Sequence, residues 1–277
     1  MKLFRRFALG LATLLGIPRG YFIPYRWAGA IEQAATPAAI ASTQSIFDTA
    51  NQNFSAIHDA IAGNAAFFAK IGHAPAPAPR WAQDWFAPLD AAALYSIIAM
   101  HAPKQILEVG SGHSTRFAQQ AVHDAQLQAK IIAIDPAPRA DIRALSDVTV
   151  INAPLHSDHA QYFHSLRRND LLFIDSSHIM MPGTDVDLLF NCLLWQVPAG
   201  VLIHIHDIFL PDPYPKDWQW RGYNEQNALA IILRHPRCDL LWASRYITQY
   251  HAKDIRLDAG IMAMSDNPAT SLWLKFR

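Results

Sequence analysis

The chain has 277 residues, enough for one large domain or a medium domain with an appendage, and 51% of them are hydrophobic against 17% charged, the balance of a globular protein with a sizeable core. Its 23 basic and 23 acidic side chains cancel, so no overall field recruits nucleic acid, and small-molecule or protein partners are expected instead. Cys192 and Cys238 are too few for a disulfide framework and lack metal-ligand spacing, so two buried thiols in a reducing cytoplasm are expected.

At the N-terminus Lys2, Arg5 and Arg6 precede an apolar run over residues 7–17 that imitates a secretory leader. The run is well short of the roughly 20 residues that span a bilayer, and no convincing cleavage site follows. Pro18-Arg19-Gly20-Tyr21-Phe22-Ile23-Pro24-Tyr25-Arg26-Trp27 then mixes aromatic and basic side chains. The expectation is a cytoplasmic protein whose first helix packs on a dimer partner, on itself or on the membrane surface.

Over residues 36–71 the apolar side chains of Ile40, Ile46, Phe47, Phe54, Ile57, Ile61, Phe67 and Phe68 recur at helical spacing, which predicts one long helix or two. The Ala/Pro run at 73–80 interrupts regular hydrogen bonding and reads as a semi-rigid linker. The predicted division is therefore a helical appendage over 1–72, a linker over 73–80 and a catalytic-looking domain over 81–277. In that domain Asp90 is placed to cap a helix over 91–101. Trp81, Trp85, Phe86 and Tyr95 either join the core or form the lid of a pocket.

The next stretch organises the rest. Gln105-Ile106-Leu107-Glu108-Val109 is a β-branched, apolar run ending near an acid, followed by Gly110-Ser111-Gly112 and then by Ser114 and Thr115, which can cap a helix over 114–128. This order holds a nucleotide-sized ligand at the carboxyl edge of a parallel strand, where glycines let the ligand approach the backbone. A dinucleotide fingerprint needs a third glycine where Thr115 stands, and a carboxylate at Glu108 favours a cation over a pyrophosphate. Glu108-Val109-Gly110-Ser111-Gly112-His113-Ser114-Thr115 resembles motif I of the class I S-adenosylmethionine-dependent methyltransferases. In that family the loop holds the methionine part of the cofactor, so the resemblance implies contacts from Glu108, Gly110, Ser111, Gly112, Ser114 and Thr115.

A second strand over 130–135 ends in Asp135, a carboxylate suited to accept ribose hydroxyls. A third is predicted over 147–152, with residues 153–156 in the loop where the resembled family places adenine. The fourth, over 169–175, ends in Asp175-Ser176-Ser177-His178. A helix over 185–196 stops at Pro198-Ala199-Gly200, and a fifth strand over 201–205 is topped by His206-Asp207. Strand and helix thus alternate, the pattern of an α/β, doubly wound, Rossmann-like and mostly parallel sheet with right-handed crossovers. Past it, residues 209–220 interleave aromatics with prolines and suit an ordered loop contacting substrate. A helix over 224–234 and a strand over 239–247 follow, with a last strand over either 259–264 or 271–276.

Asp175, His178, His206 and Asp207 converge at the strand ends by topology. Methyl transfer needs an aligned acceptor and a group to take its proton, and an imidazole can do so near neutral pH. Ile174-Asp175-Ser176-Ser177-His178 and His206-Asp207 are similar to two segments of a bacterial branch of class I methyltransferases acting on small molecules. Ser176 and Ala199 stand where that branch has glycines. The resemblance implies His178 or His206 as base with Asp207, and Asp175 near the cofactor. Related metal-using enzymes carry acids at the positions of Asp175 and Asp207, but His206 is a poor magnesium ligand, so a divalent metal is the lesser expectation. The overall reading is S-adenosylmethionine-dependent O-methylation of a small-molecule acceptor. An NAD-dependent oxidoreductase on a Rossmann fold and a non-catalytic S-adenosylmethionine-binding protein are the alternatives.

Overall fold

The computed structural model describes residues 2–31 and 37–277; Met1 and Thr36, which open two of the predicted segments, lie outside the described residues. Seven strands form one sheet: β1 (Gln105–Val109), β2 (Lys130–Ile134), β3 (Val148–Ile151), β4 (Leu171–Ile174), β5 (Leu202–Ile205), β6 (Cys238–Ala243) and β7 (Leu272–Phe276). Their order is β3-β2-β1-β4-β5-β7-β6, with β1 to β5 parallel and β7 antiparallel to both its neighbours. This is a doubly wound, Rossmann-like and mostly parallel sheet. β4 and β5 are buried along their whole length, as central parallel strands covered on both faces must be. The direction of winding reverses between β1 and β4, so the crevice for a ligand opens beyond their carboxyl ends.

The helical pattern over 36–71 resolves into short pieces, Ala38–Ala41, Gln44–Ala50, Ser55–Gly63 and Ala65–Phe68, with a 3-10 turn at Asn51–Phe54. Polar side chains at the breaks capture helix carbonyls: Ser42 donates to Ala39 O, Thr43 to Ile40 O and Asn64 to Ala60 O. These helices share the core of the sheet. Phe47, Phe54, Ile61 and Phe68 are buried in it, and Phe54 meets Trp242 of β6 edge to face. Residues 38–71 thus share one core with the residues beyond the Ala/Pro run, whereas residues 4–31 are exposed almost throughout. No helix among the described residues is long and apolar enough to cross a membrane.

Several expected details differ. Asp90 does not cap its helix, which begins with Pro88 in the first turn; its two carboxyl oxygens accept the Thr270 and Ser271 N–H groups at 2.8 and 2.9 Å, tying the helix to the start of β7. β6 ends at Ala243, and Ser244–Tyr250 is a helix that buries Ser244 and Ile247, three residues apart, together with Tyr246, within a β-branched, aromatic run. The last strand is the later alternative, since Ala259–Met262 is helical. The helix predicted over 185–196 breaks at Cys192 into Asp185–Asn191 and a 3-10 turn. Cys192 is exposed rather than buried; Cys238 is partly buried, and burial pushes its thiol up to about 12. Of the four aromatics considered for a lid, Trp81, Phe86 and Tyr95 are core and Trp85 alone is exposed.

Candidate active site

β1 delivers the chain into the Gly110 turn, where φ is +81° and a Cβ would lie 2.0 Å from the Asp175 carbonyl oxygen. Only glycine lets the ends of β1 and β4 come this close. The turn is then locked by its own polar groups. Ser111 donates its N–H and its hydroxyl to Asp135 Oδ2 at 2.7 and 2.9 Å, and Ala137 N–H donates to Oδ1 at 2.7 Å. Thr115 Oγ1 accepts the Gly112 N–H at 3.0 Å and donates to Glu108 Oε2 at 2.5 Å. Helix His113–Asp124 thus starts with Gly112 as its cap, and Ser114 and Thr115 sit inside its first turn rather than before it.

Glu108 is fully buried and its Oε1 has no partner. Burial, reinforced by the nearby Asp175 and Asp135 charges against the hydrogen bonds of Thr115 and Ser114, pushes its carboxyl up to about 8. Three carboxyl groups crowded at three strand ends, one of them with an unsatisfied oxygen, make a region that a cationic group would relieve.

A cavity of about 500 Å3 opens at the crevice. Gly110, Ser111 and Asp135 form one wall and Asp175, Ser176 and Ser177 the other, with Pro154 and Leu155 between them. The loop over 153–156 thus borders the cavity through Pro154 and Leu155. Ser177 is fixed by two hydrogen bonds to Asp185 at the start of helix Asp185–Asn191, one from its N–H at 2.8 Å and one from its hydroxyl. Beside this cavity, Asp175, Ser111 and Arg139 also line a small recess with His113 and Trp85, and the Arg139 guanidinium lies 4.6 Å over the Trp85 ring.

Beyond Asp175 lies a cage of charges. His178 is buried with φ +61°; its Nδ1 donates to Glu225 Oε2 at 2.8 Å, and its Nε2 faces Asp175 Oδ1 at 3.3 Å and Asp207 Oδ2 at 3.4 Å. Burial alone would lower the imidazole's pKa, but hydrogen bonds to Asp175 and Glu225 and the charges of Glu225 and Asp207 outweigh it and raise it well above the ordinary value. Burial alone would likewise raise Asp175, yet the His178 hydrogen bond, the His206 and His178 charges and Arg139 hold it below the usual carboxylate range. Asp207 also has positive φ, at +56°. Two left-handed non-glycine residues in one cluster are a store of strain that such sites carry.

Glu225 is the largest omission from the sequence reading. Helix Glu225–Ile232 places it opposite His178, and the chains are zipped there: Asn224 N–H donates to His178 O at 3.1 Å while Met180 N–H donates to Asn224 Oδ1 at 2.6 Å. The Asn-Glu-Gln-Asn run marked a helix start but nothing in it pointed 47 residues back to a histidine. The loop after β5 covers this cage. Phe209, Tyr214, Trp218 and Tyr223 stack edge to face, and Tyr223 packs against His178 with ring centres 4.5 Å apart.

His206 contrasts with its neighbours. Its Nδ1 is buried with no partner, and Nε2 faces Asp207 Oδ1 at 3.8 Å. His204, two residues earlier, is a core residue: it stacks on Phe173 at 3.8 Å, bonds Ser271 Oγ at 2.7 Å, and burial lowers its pKa well below the ordinary value. For a metal the arrangement fits poorly, because the carboxylates of Asp175 and Asp207 are both turned onto the His178 N–H. Among the described residues no cluster of three or more histidines, cysteines or acids is placed to hold an ion.

Residues 107–208, β1 to just past β5, match the model of a family described as a methyltransferase domain. No protein of curated function matches the chain. Similar solved structures include an SAH-bound methyltransferase from Podospora anserina, PaMTH1, at 15% identity over 93% of this chain and 99% of that one, TM-score 0.43. An O-methyltransferase from Bacillus cereus in complex with SAH is 16% identical over 86% of this chain and 97% of that one, TM-score 0.44. TomG, an O-methyltransferase from Streptomyces achromogenes, is 13% identical over 80% and 88%, TM-score 0.39.

Proposed function

We propose that the chain is an S-adenosylmethionine-dependent methyltransferase that methylates a hydroxyl of a small molecule, with His206 taking the proton; the methyltransferase-domain match over residues 107–208 and the strand order support this reading. The observation that carries this reading is the buried, unpartnered Nδ1 of His206. Asp207 beside Nε2 favours the tautomer with the proton there and leaves Nδ1 free to accept. His178 is the poorer base, since both its nitrogens are engaged and three carboxylates keep it protonated. Its role is that of a fixed cation that orients Asp175 on the wall of the cleft.

The donor would lie along Gly110, Ser111 and Asp135, and it supplies an electrophilic methyl group on a sulfonium. Asp135 and Asp175 place negative charge at the end of the cleft where that cation belongs, and Glu108, which burial keeps protonated up to about pH 8, adds a third when it gives up its proton. Asp135 has three of its lone-pair positions committed to the turn, and it still lines the cavity, so a ribose hydroxyl would meet its remaining acceptor capacity.

Calorimetric titration with S-adenosylmethionine and, separately, with NAD tests the donor. Binding of the first alone is expected; binding of NAD alone returns the chain to the oxidoreductase class. A panel of small hydroxylated molecules, read by release of S-adenosylhomocysteine, then tests transfer. His206→Asn is expected to lower turnover about 10²- to 10⁴-fold with donor affinity retained. Unchanged turnover in that variant removes His206 from the chemistry, and no release with any acceptor supports a binding protein.

A further inference from the structure

The sequence from residue 1 to residue 31 contains Lys2, Arg5, Arg6, Arg19 and Arg26 and no acid. The remainder of the chain carries five more acids than bases, so the neutral total hides a cationic segment attached to an anionic body. Within that segment Lys2–Leu14 is a helix. Phe4, Phe7, Leu11 and Leu14 recur at steps of three and four and so form one apolar stripe, while Arg5 and Arg6 project from the other side. The stripe has no cover: Phe4 is 79% exposed and Phe7 69%. Tyr21, Phe22, Ile23, Tyr25 and Trp27 continue the exposed apolar surface, with Arg26 packed over the Trp27 ring at 4.9 Å.

We infer that residues 2–27 dock on the surface of an anionic lipid bilayer, with the helix lying in the plane of the interface. The stripe would enter the headgroup boundary, where apolar burial is favourable, and the arginines would reach the phosphates. Tyr and Trp are the side chains that settle at this depth, because one end is apolar and the other polar. Charge selects this occupant over a second copy of the same segment. Pairing the stripe with its own copy would bring together two segments that each carry five cations and no acid, whereas a phosphatidylglycerol surface neutralises them.

The test is sedimentation of the full chain with vesicles of phosphatidylglycerol and phosphatidylcholine against vesicles of phosphatidylcholine alone. The anionic vesicles are expected to bind at least about 25-fold more tightly, with binding weakened by salt. Arg5→Gln with Arg6→Gln should cost about 25-fold, or fivefold per charge. Phe4→Ser with Phe7→Ser should abolish pelleting while the circular dichroism and donor binding of the domain stay as they were. Equal binding to both vesicles, no binding to either, or a dimer that the Phe4→Ser, Phe7→Ser chain loses without any vesicle binding overturns the inference.

Discussion

The two halves of the strand edge are built on opposite plans. The glycine-turn half is held by contacts among residues 108–137, nearly all of them neutral hydrogen bonds or bonds from N–H groups to one carboxylate. The histidine half draws Asp175 and His178 from one connection, Asp207 from a second and Glu225 from a third, and balances one buried imidazolium against three acids. The first half depends on shape, so steric change should damage it most. The second depends on charge, so it should answer to isosteric substitution and to pH.

The largest effect separates them by shape. Gly110→Ala adds a methyl group 2.0 Å from a backbone carbonyl at a φ of +81°, and neither partner can yield. An overpacked contact and a strained dihedral together cost about 4 kcal/mol. Urea unfolding should show that loss, and calorimetry should show donor binding gone. A variant that melts and binds as the parent does would mean that the β1 and β4 ends are not in contact.

Next comes charge. Glu225→Gln keeps the shape of the cage and removes one of three negative charges, so it should cost about 3 kcal/mol, the low end for breaking a buried ion pair, because Asp175 and Asp207 remain. Folding raises the His178 pKa, so its pairs stabilise fully below about pH 6.5 and lose that contribution as pH climbs through the raised folded value. In Glu225→Gln the loss should begin at lower pH. Unfolding curves against pH and an NMR titration of the imidazole check this. An unmoved titration would show that Glu225 does not hold the proton on His178.

Glu108 reverses the usual behaviour of a carboxylate. Its folded pKa of about 8 lies above the ordinary 4.5, so the folded state holds more protons across that interval, and stability falls as pH rises from about 4.5 to about 8. The slope approaches about 1.4 kcal/mol per pH unit in the steep part. Glu108→Gln should flatten it. Donor binding brings a cation to the same place, so it should expel the proton from Glu108 near neutral pH. Calorimetry in two buffers of different ionisation heat would register that release, and equal heats would remove the donor cation from Glu108's surroundings.

What the sequence disclosed follows the same division. Glu108, Gly110, Ser111, Thr115 and Asp135 all lie in or just after two consecutive strands, so period and spacing were enough to place them together. His178 and His206 were legible as strand-end residues. Their different states were not, since these depend on Glu225, 47 positions away from His178, and on Tyr223 in a loop without a period. The strand predicted through residue 247 failed for a related reason, because a β-branched and aromatic composition masked the helix that begins at Ser244. The identity of the β7 strand needed Asp90, whose carboxyl joins two segments 180 residues apart.

The smallest effect lies where the halves touch. Arg139 lines the recess beside the glycine turn, contributes to holding Asp175 ionised, and rests on Trp85, an indole more than half exposed. Such a cation–π contact at the surface contributes about 0.5–1 kcal/mol. Trp85→Ala should therefore leave the melting temperature almost unmoved, because little core is lost, while donor affinity falls roughly two- to fivefold as Arg139 is released from its place. A melting shift as large as that of Gly110→Ala would make Trp85 part of the packed half. An unchanged affinity with an unchanged melting temperature would mean that Arg139 is held by the glycine turn alone, and the recess would then belong wholly to the first plan.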